Sequence, residues 1–450
     1  LKNKTRTVDG YGMEPVRILV VSTLYPPVAR GGYEVECASV VERLCERHDV
    51  LVLTSDEAPA RARELADGGE SAPGHASEHV SERAAARDDE REHVTVRREL
   101  VRLTPGARGA LGAPLASMRA VRAARRALAW KPDVIYAWNG AAIPQSALRV
   151  LADSGVPLAF RVCEHWFGEI FVRDQFLREL LPASRGQARA VWAGGCRALN
   201  TLPSLRLRPT APVRTAISWN SEAIRRMVPL PPFVEPVLER VGHSVPRYGD
   251  LYAAVVREPA PAPVIVFLGR VTPYKGVSVA IEALARLRSK HDIDATLEVI
   301  GPEDDGYGAE MRRLAERLGV EGAMRWRGPA TPAQAARRLA VASAMIVPST
   351  WDEPFPLVTI EGALARVPLV ASDVGGVGEG MHHEEHALLF ARGDAAGAAA
   401  ALARVLNEDE QTRARVARAF DRAQELFGLG PYLDEQERFL DDALAALSAG

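Results

Sequence analysis

Arg17-Ile-Leu-Val-Val-Ser-Thr23 is a short apolar run without polar alternation, the pattern of a strand buried on both faces. A Pro-Pro turn at 26–27 and Gly31-Gly32 lead into a helix-like stretch from Tyr33 to Arg47, and Val50-Leu-Val-Leu-Thr54 is a second such run. Two buried strands joined through a helix must lie parallel, which commits the chain to an α/β, doubly wound sheet. Val94–Leu100, a helix around 114–129, a strand at Asp133–Ala137, a helix from 141 and a strand at Val156–Val162 continue the alternation. The pattern restarts at Val264-Ile-Val-Phe-Leu-Gly269, with a helix whose Val277, Ala280, Ile281, Leu284 and Leu287 share one face. Strands at 295–300, 344–348 and 367–371 then alternate with helices at 309–318, 332–341 and 357–365. A chain of 450 residues is too long for one ordinary core, so two such domains are expected.

The boundaries follow from the interruptions. Residues 1–14 are polar and read as a disordered leader, with Met13 a candidate first residue. Residues 15–228 form the first domain, with 56–92 a solvated insertion poor in aliphatic residues. Prolines at 229, 231, 232, 236, 246, 259, 261 and 263 mark 229–262 as a linker region that cannot be a continuous helix or central strand. The second domain is 263–428, and 429–450 is a helix that could cross back to the first. A net charge of −2 argues against a general nucleic-acid binder. Cys37, Cys45, Cys163 and Cys196 show neither a CxxC pair nor zinc spacing, so they read as reduced thiols of a cytoplasmic protein.

Two constellations carry chemistry. Gly269-Arg270-Val-Thr-Pro-Tyr-Lys275-Gly276 places two cations between a strand and a helix, where an open sheet binds ligands. With the N–H groups of a helix start they suit a diphosphate. Only five lysines stand among the 56 basic residues, which draws attention to Lys275. In Pro348-Ser-Thr-Trp-Asp-Glu353-Pro-Phe-Pro-Leu-Val-Thr-Ile-Glu361, two acids have seven residues between them. Glu361 would lie one turn inside a helix, able to accept hydrogen bonds from vicinal hydroxyls. Helix-capping acids would explain one of the two but not the surrounding pattern.

These motifs, with Ala371-Ser-Asp-Val-Gly-Gly376, resemble the retaining glycosyltransferases of family four, glycosyl transferases group 1. The likeness is strong over 262–405 and weaker over 16–228, where Gly31-Gly32-Tyr-Glu34, Glu164-His165 and Ser218-Trp-Asn-Ser-Glu222 fit. The resemblance implies a GT-B fold, two Rossmann-like domains facing a central crevice, and a nucleotide-sugar donor used without metal or other cofactor. It implies that Arg270 and Lys275 hold the diphosphate, Glu361 the ribose hydroxyls and Glu353 the donor sugar. His165 would line that sugar, while backbone at Gly31, Gly32 and Phe355, Leu357 and Val358 would approach the phosphates. The family usually carries glycine where Pro356 stands, alanine where Gly362 stands, and a Pro-Asn-Gly-Val-Asp loop before the linker that is missing here.

The acceptor is a hydroxyl compound: a small molecule, a glycan or a lipid-linked sugar. Glu34, Trp166 and Phe167 are the acceptor-side candidates, although an aromatic run at 166–176 equally suits a helix packed on its sheet. A nucleotide-sugar 2-epimerase and a non-catalytic sugar-nucleotide binder are the competing functions. Cys163 beside His165 reads as packing, and His382, His383 and His386 as a surface cluster rather than a metal site. Arg108, Arg119, Arg122, Arg125 and Arg126 mark a basic helix. It suits a solvated face or peripheral contact with an inner membrane face.

Overall fold

The computed structural model describes residues 15–28, 32–56, 94–101, 112–141, 143–170, 209–304, 306–407 and 409–449. The expected leader, most of the 56–92 insertion, Gly31, Arg108, Cys196 and the aromatics at 171 and 176 lie outside the described residues. The chain divides into two units. One holds residues through Trp219, Val228–Arg240 and Leu433 onward; the other holds Asn220–Met227 and Val241–Tyr432.

The first unit is built on β1 (Arg17–Ser22), α1 (Gly32–Leu44), β2 (Asp49–Ser55), β3 (Val94–Leu100), α2 (Gly112–Leu128), β4 (Val134–Asn139), α3 (Gln145–Ala152), β5 (Leu158–Val162) and β6 (Val213–Trp219). After α4 (Glu222–Met227), which belongs to the second unit, β7 (Val234–Val241) completes a seven-stranded sheet of order β3-β2-β1-β4-β5-β6-β7. β1 sits centrally, with Ile18 level with Val50 on one side and Val134 on the other, both pairings parallel. Ile18 through Val21 are at most 1% exposed, as a strand covered on both faces requires.

The 229–262 region is not only a linker: it contributes β7 and α5 (Gly249–Ala253). Pro236 lies inside β7, which is tolerable because β7 is the sheet edge and needs a complete ladder on one side alone. Proline excludes a central strand, not an edge one.

The second unit contains β8 (Val264–Leu268), α6 (Val277–His291), β9 (Thr296–Ile300), α7 (Tyr307–Arg317), β10 (Met324–Gly328), α8 (Pro332–Val341), β11 (Ala344–Val347), α9 (Leu357–Leu364), β12 (Leu369–Ser372), α10 (Val377–Gly380), β13 (Leu388–Phe390), α11 (Ala395–Leu406) and α12 (Glu410–Leu426). Its six strands are all parallel, in the order β10-β9-β8-β11-β12-β13. Val277, Ala280, Ile281, Leu284 and Leu287 form the buried face of α6 against this sheet. Thr331 starts α8 with a capping box to Gln334 and a proline at the first helical position. The chain ends in α13 (Leu429–Ser448), which from Leu433 belongs to the first unit. Among the described residues no helix is long and apolar enough to cross a membrane.

In both sheets the winding reverses beside the first strand, between β1 and β4 and between β8 and β11. Such a switch point opens a crevice at the carboxyl ends of the strands.

Candidate active site

At the β8–β11 switch point two loops are fastened together. Beyond β8, Gly269 (φ +154°) turns the chain, and Val271 N–H donates to Pro302 carbonyl at 2.8 Å. The turn Pro273–Lys275 ends on Gly276 at φ +71°, in the left-handed region. A Cβ there would lie 1.8 Å from the Pro348 carbonyl oxygen, so only glycine lets the loops approach. Thr350 N–H then donates to Tyr274 carbonyl at 2.8 Å, and Thr350 Oγ1 to Pro273 carbonyl at 3.1 Å.

This closure brings Lys275 Nζ to 2.7 Å from Glu353 Oε1, which also accepts from Ser349 Oγ at 2.5 Å. Glu353 is only 3% exposed. A buried carboxylate needs such partners, and removing one partner of a buried pair costs about 3–5 kcal/mol. The loop after β12 holds the Glu353 backbone: Gly376 N–H donates to its carbonyl at 2.7 Å. A Cβ at Gly375 would meet that same oxygen at 2.1 Å, which accounts for the paired glycines of 371–376. Arg270 pairs with Asp304 at 3.0 Å, both side chains nearly half exposed. Its guanidinium is therefore held by a weak surface interaction and can exchange partners.

Pro356 precedes α9 with φ −79°, an ordinary proline conformation, and its carbonyl accepts from Thr359 N–H and Thr359 Oγ1 at 3.0 and 2.8 Å. Leu357 and Val358 are half-buried and begin the helix, where backbone N–H groups lack intrahelical acceptors. The Phe355 side chain turns into an aromatic cluster, its ring centroid 4.8 Å from His243 and 5.6 Å from Phe427, so only its backbone can face a ligand. Ser221 Oγ donates to the Pro354 carbonyl at 2.6 Å and steadies the same segment. One turn into α9, Glu361 is half-buried, and among the described residues its carboxylate has no hydrogen-bond or ion-pair partner. Burial raises its pKa to about 7. Burial likewise raises the Tyr252 phenol, and the Glu361 charge adds to that rise.

In the first unit Gly32 opens α1 and Glu34 is buried on it. His165 is exposed on a 3₁₀ turn, His165–Glu169, directly after β5. Trp166 and Phe167 do not offer a surface to an acceptor. Phe167 is fully buried, edge-on to Phe160 at 4.9 Å and to Trp219 at 5.8 Å, and Trp166 is 7% exposed beside Gly140. A short turn plugs the end of the sheet with both rings, so the apolar run serves the core.

Residues 251–422 match the family model described as "Glycosyl transferases group 1". The second unit is a group 1 glycosyltransferase domain. The whole chain is 28% identical over 418 residues to a protein named "Glycogen synthase" in Mycobacterium tuberculosis, covering 90% of this chain and 89% of that one. It is 36% identical over 157 residues to a "D-inositol 3-phosphate glycosyltransferase" of Corynebacterium glutamicum, or 34% of this chain and 37% of the relative. Among solved structures, HepE of Anabaena in complex with UDP-glucose superposes with a TM-score of 0.61 at 18% identity, covering 95% of this chain and all of that one. The two Rossmann-like units thus make a GT-B fold.

Several residues had no role in the sequence reading. Arg161, fully buried in β5, pairs with Glu36 of α1 at 2.9 Å and donates to Ser218 Oγ and the Trp219 carbonyl at 3.0 and 3.2 Å. An arginine inside Leu-Ala-Phe-Arg-Val was the available signal, since a charge in a buried strand requires a partner. His243 and Glu379 pair at 3.2 Å, and Glu379 accepts from Glu222 N–H at the start of α4, which holds its pKa down. His382, Glu385 and His386 do gather their ligand atoms within 4.8 Å of one another. That set is satisfied internally: His386 Nδ1 accepts from His382 N–H, and Arg422 lies 3.3 Å from His382 Nε2. Both rings then present N–H rather than lone pairs to Glu385.

Proposed function

We propose that this group 1 glycosyltransferase moves a sugar from a nucleoside-diphosphate sugar to an acceptor hydroxyl, with retention at the anomeric carbon and without a metal. The observation that carries this reading is the pairing of Lys275 with Glu353 at the β8–β11 switch point, with Arg270 in the same loop as Lys275 and Glu361, which has no partner among the described residues, one turn inside α9. Lys275 spends one donor on Glu353 and has two left for phosphate oxygens. Arg270 exchanges Asp304 for the diphosphate, which adds a planar, bidentate donor. Together with the N–H groups of Leu357 and Val358 they stabilise charge on the leaving diphosphate, the task a divalent cation would otherwise perform.

Glu361 accepts from the ribose hydroxyls, and Glu353, fixed by Lys275 and Ser349, faces the sugar. Retention is assigned to the departing phosphate oxygen, which takes the acceptor proton as the new bond forms. The names of the relatives support a transferase of hexosyl type, and HepE's UDP-glucose supports a nucleotide donor.

Thermal shift with UDP, GDP, ADP and dTDP tests the donor. One of them at about 100 times its Kd should stabilise the protein by about 2.7 kcal/mol, a rise of a few degrees in Tm. Arg270→Ala removes only an exposed pair, so it should keep the unliganded Tm within about 1–2 °C. It should lose most of the nucleotide shift and at least tenfold in transfer rate. No shift with any nucleotide, or an unchanged rate in Arg270→Ala, overturns the reading. Epimerised donor formed without an acceptor would replace transfer by epimerisation.

A further inference from the structure

The first unit has a concentration of cations of its own. A cavity of about 410 Å³ is lined by Asp56, Arg98, Glu99, Arg119, Arg122 and Arg126. Asp56 directly follows β2, and Arg98 and Glu99 stand at the last turn of β3, so the cavity opens at the carboxyl edge of the sheet. That is the edge where parallel sheets take ligands. Arg119, Arg122 and Arg126 recur on one face of α2 at spacings of three and four.

The charges in the cavity are unequally matched. Arg126 is paired with Glu99 at 2.6 Å, and Arg98 is fixed by donating to the Tyr25 and Pro26 carbonyls at 3.0 and 2.5 Å. Among the described residues Arg119 and Arg122 have no carboxylate partner. Among the described residues that line the cavity, four guanidinium groups face two carboxylates, an excess of two positive charges in a protein whose overall charge is −2. An acid three or four positions away on the same helix would stabilise these arginines, and α2 carries none.

We propose that this cavity is a binding site for a phosphomonoester. A phosphomonoester dianion matches that excess of two charges, and two free guanidinium forks match its oxygens in bidentate fashion. The volume admits the phosphate together with the compound that bears it. Combined with the transferase reading, on which this last step rests, the acceptor carries the phosphomonoester, and the site fixes the acceptor by its charge. The same chemistry could be met by a soluble phosphate ester or by a lipid headgroup. The exposure of Leu115, 62%, and of Met118 one turn before the arginines gives the lipid a place to rest.

Calorimetry on the full chain with fructose 6-phosphate, inorganic phosphate and fructose tests the site, with co-sedimentation on phosphatidic acid vesicles, whose headgroup is a phosphomonoester, and on phosphatidylcholine vesicles, whose phosphate is a diester, as a second arm. Fructose 6-phosphate should bind, fructose should not, and raising KCl from about 50 to 500 mM should weaken binding several-fold. Arg119→Ala/Arg122→Ala, on an exposed helix face, should keep its Tm and lose at least tenfold in affinity, while Arg270→Ala binds the ester as wild type does. Sedimentation with phosphatidic acid alone that vanishes in the double variant, without binding of the soluble ester, assigns the phosphomonoester to a lipid. The proposal falls if neither probe binds, or if binding survives in the double variant. It also falls if Arg270→Ala abolishes ester binding, because the donor loop is then the phosphate site. A nucleotide shift that persists in any of these outcomes leaves the donor reading standing.

Discussion

Glu361 is where stability and ligand binding pull against each other. A carboxyl group held at about pKa 7 is stabilised in its protonated form by the fold, so the folded state binds that proton more tightly than the unfolded chain does. The favourable contribution is complete below about pH 4.5, where both states are protonated, and is lost as pH rises through 7. Glu361→Gln removes the titration. At pH 8 it should stabilise the unliganded protein, by about 3 kcal/mol at most, and at pH 5 by less than about 1 kcal/mol. The same variant should bind nucleotide more weakly, since an amide accepts fewer hydrogen bonds than a carboxylate. Tm profiles of the two proteins between pH 5 and 8 decide it; parallel profiles would mean that the carboxyl titrates normally. If Glu361 holds the ribose as proposed, a destabilised acid kept there is the trade between activity and stability in a single side chain.

At the scale of elements, the strands read in advance are, β3 apart, those covered on both faces, because burial on both sides leaves an apolar run; β3, an edge strand, was read by its position in the alternation. β6, β7, β10 and β13 escaped for separate reasons: β6, though buried, reads Val-Arg-Thr-Ala-Ile-Ser-Trp, whose polar residues break the apolar run. β7 contains a proline, β10 is an edge strand reading Met-Arg-Trp-Arg-Gly, and β13 has three residues. Of the site, the charged groups were legible in their motifs. Their pairing was not, since Lys275 and Glu353 lie 78 positions apart and meet only through contacts at Gly276, Thr350 and Gly375. Trp166 and Phe167 were ambiguous because an aromatic run has the same composition whether it faces a ligand or plugs a sheet.

Gly362 belongs to this scale as well. A Cβ there would stand 2.6 Å from Leu369 Cδ2 and 2.7 Å from Met345 Sδ, so α9 rests on β11 and β12 more closely than an alanine allows. The glycine is a packing choice, complementary to a leucine and a methionine beneath it. Gly362→Ala should cost about 1–3 kcal/mol by overpacking. Leu369→Val removes the colliding methyl and should return part of that loss, a positive coupling in a double-mutant cycle read by denaturant midpoint. Strict additivity would place the strain elsewhere.

For the whole molecule, the order of residues along the chain and their grouping in space disagree at the end. α13 begins in the second unit and from Leu433 belongs to the first, which makes the first unit depend on a segment far along the chain from its other strands and helices. There Phe439, Leu440 and Ala443 are at most 2% exposed, Tyr136 Oη donates to Gln436 Oε1 at 2.8 Å, and Arg47 pairs with Glu437 at 2.6 Å. Burying Phe439 and Leu440 contributes about 1.5–3 kcal/mol each, a large part of the 5–15 kcal/mol that holds a typical domain. Ending the chain at Tyr432 should therefore unfold the first unit while the second keeps its sheet. Hydrogen exchange should accelerate in β1 and β4 and stay slow in β8 and β11. Gln436→Leu is the milder form: it leaves the buried Tyr136 hydroxyl without an acceptor and should cost about 1–3 kcal/mol, again in the first unit. Equal loss of protection in both sheets would show that they fold as one cooperative body, and no loss in either would show that α13 is dispensable. The segment removed is remote in sequence from everything it supports, so the two sheets report separately on where its free energy is spent.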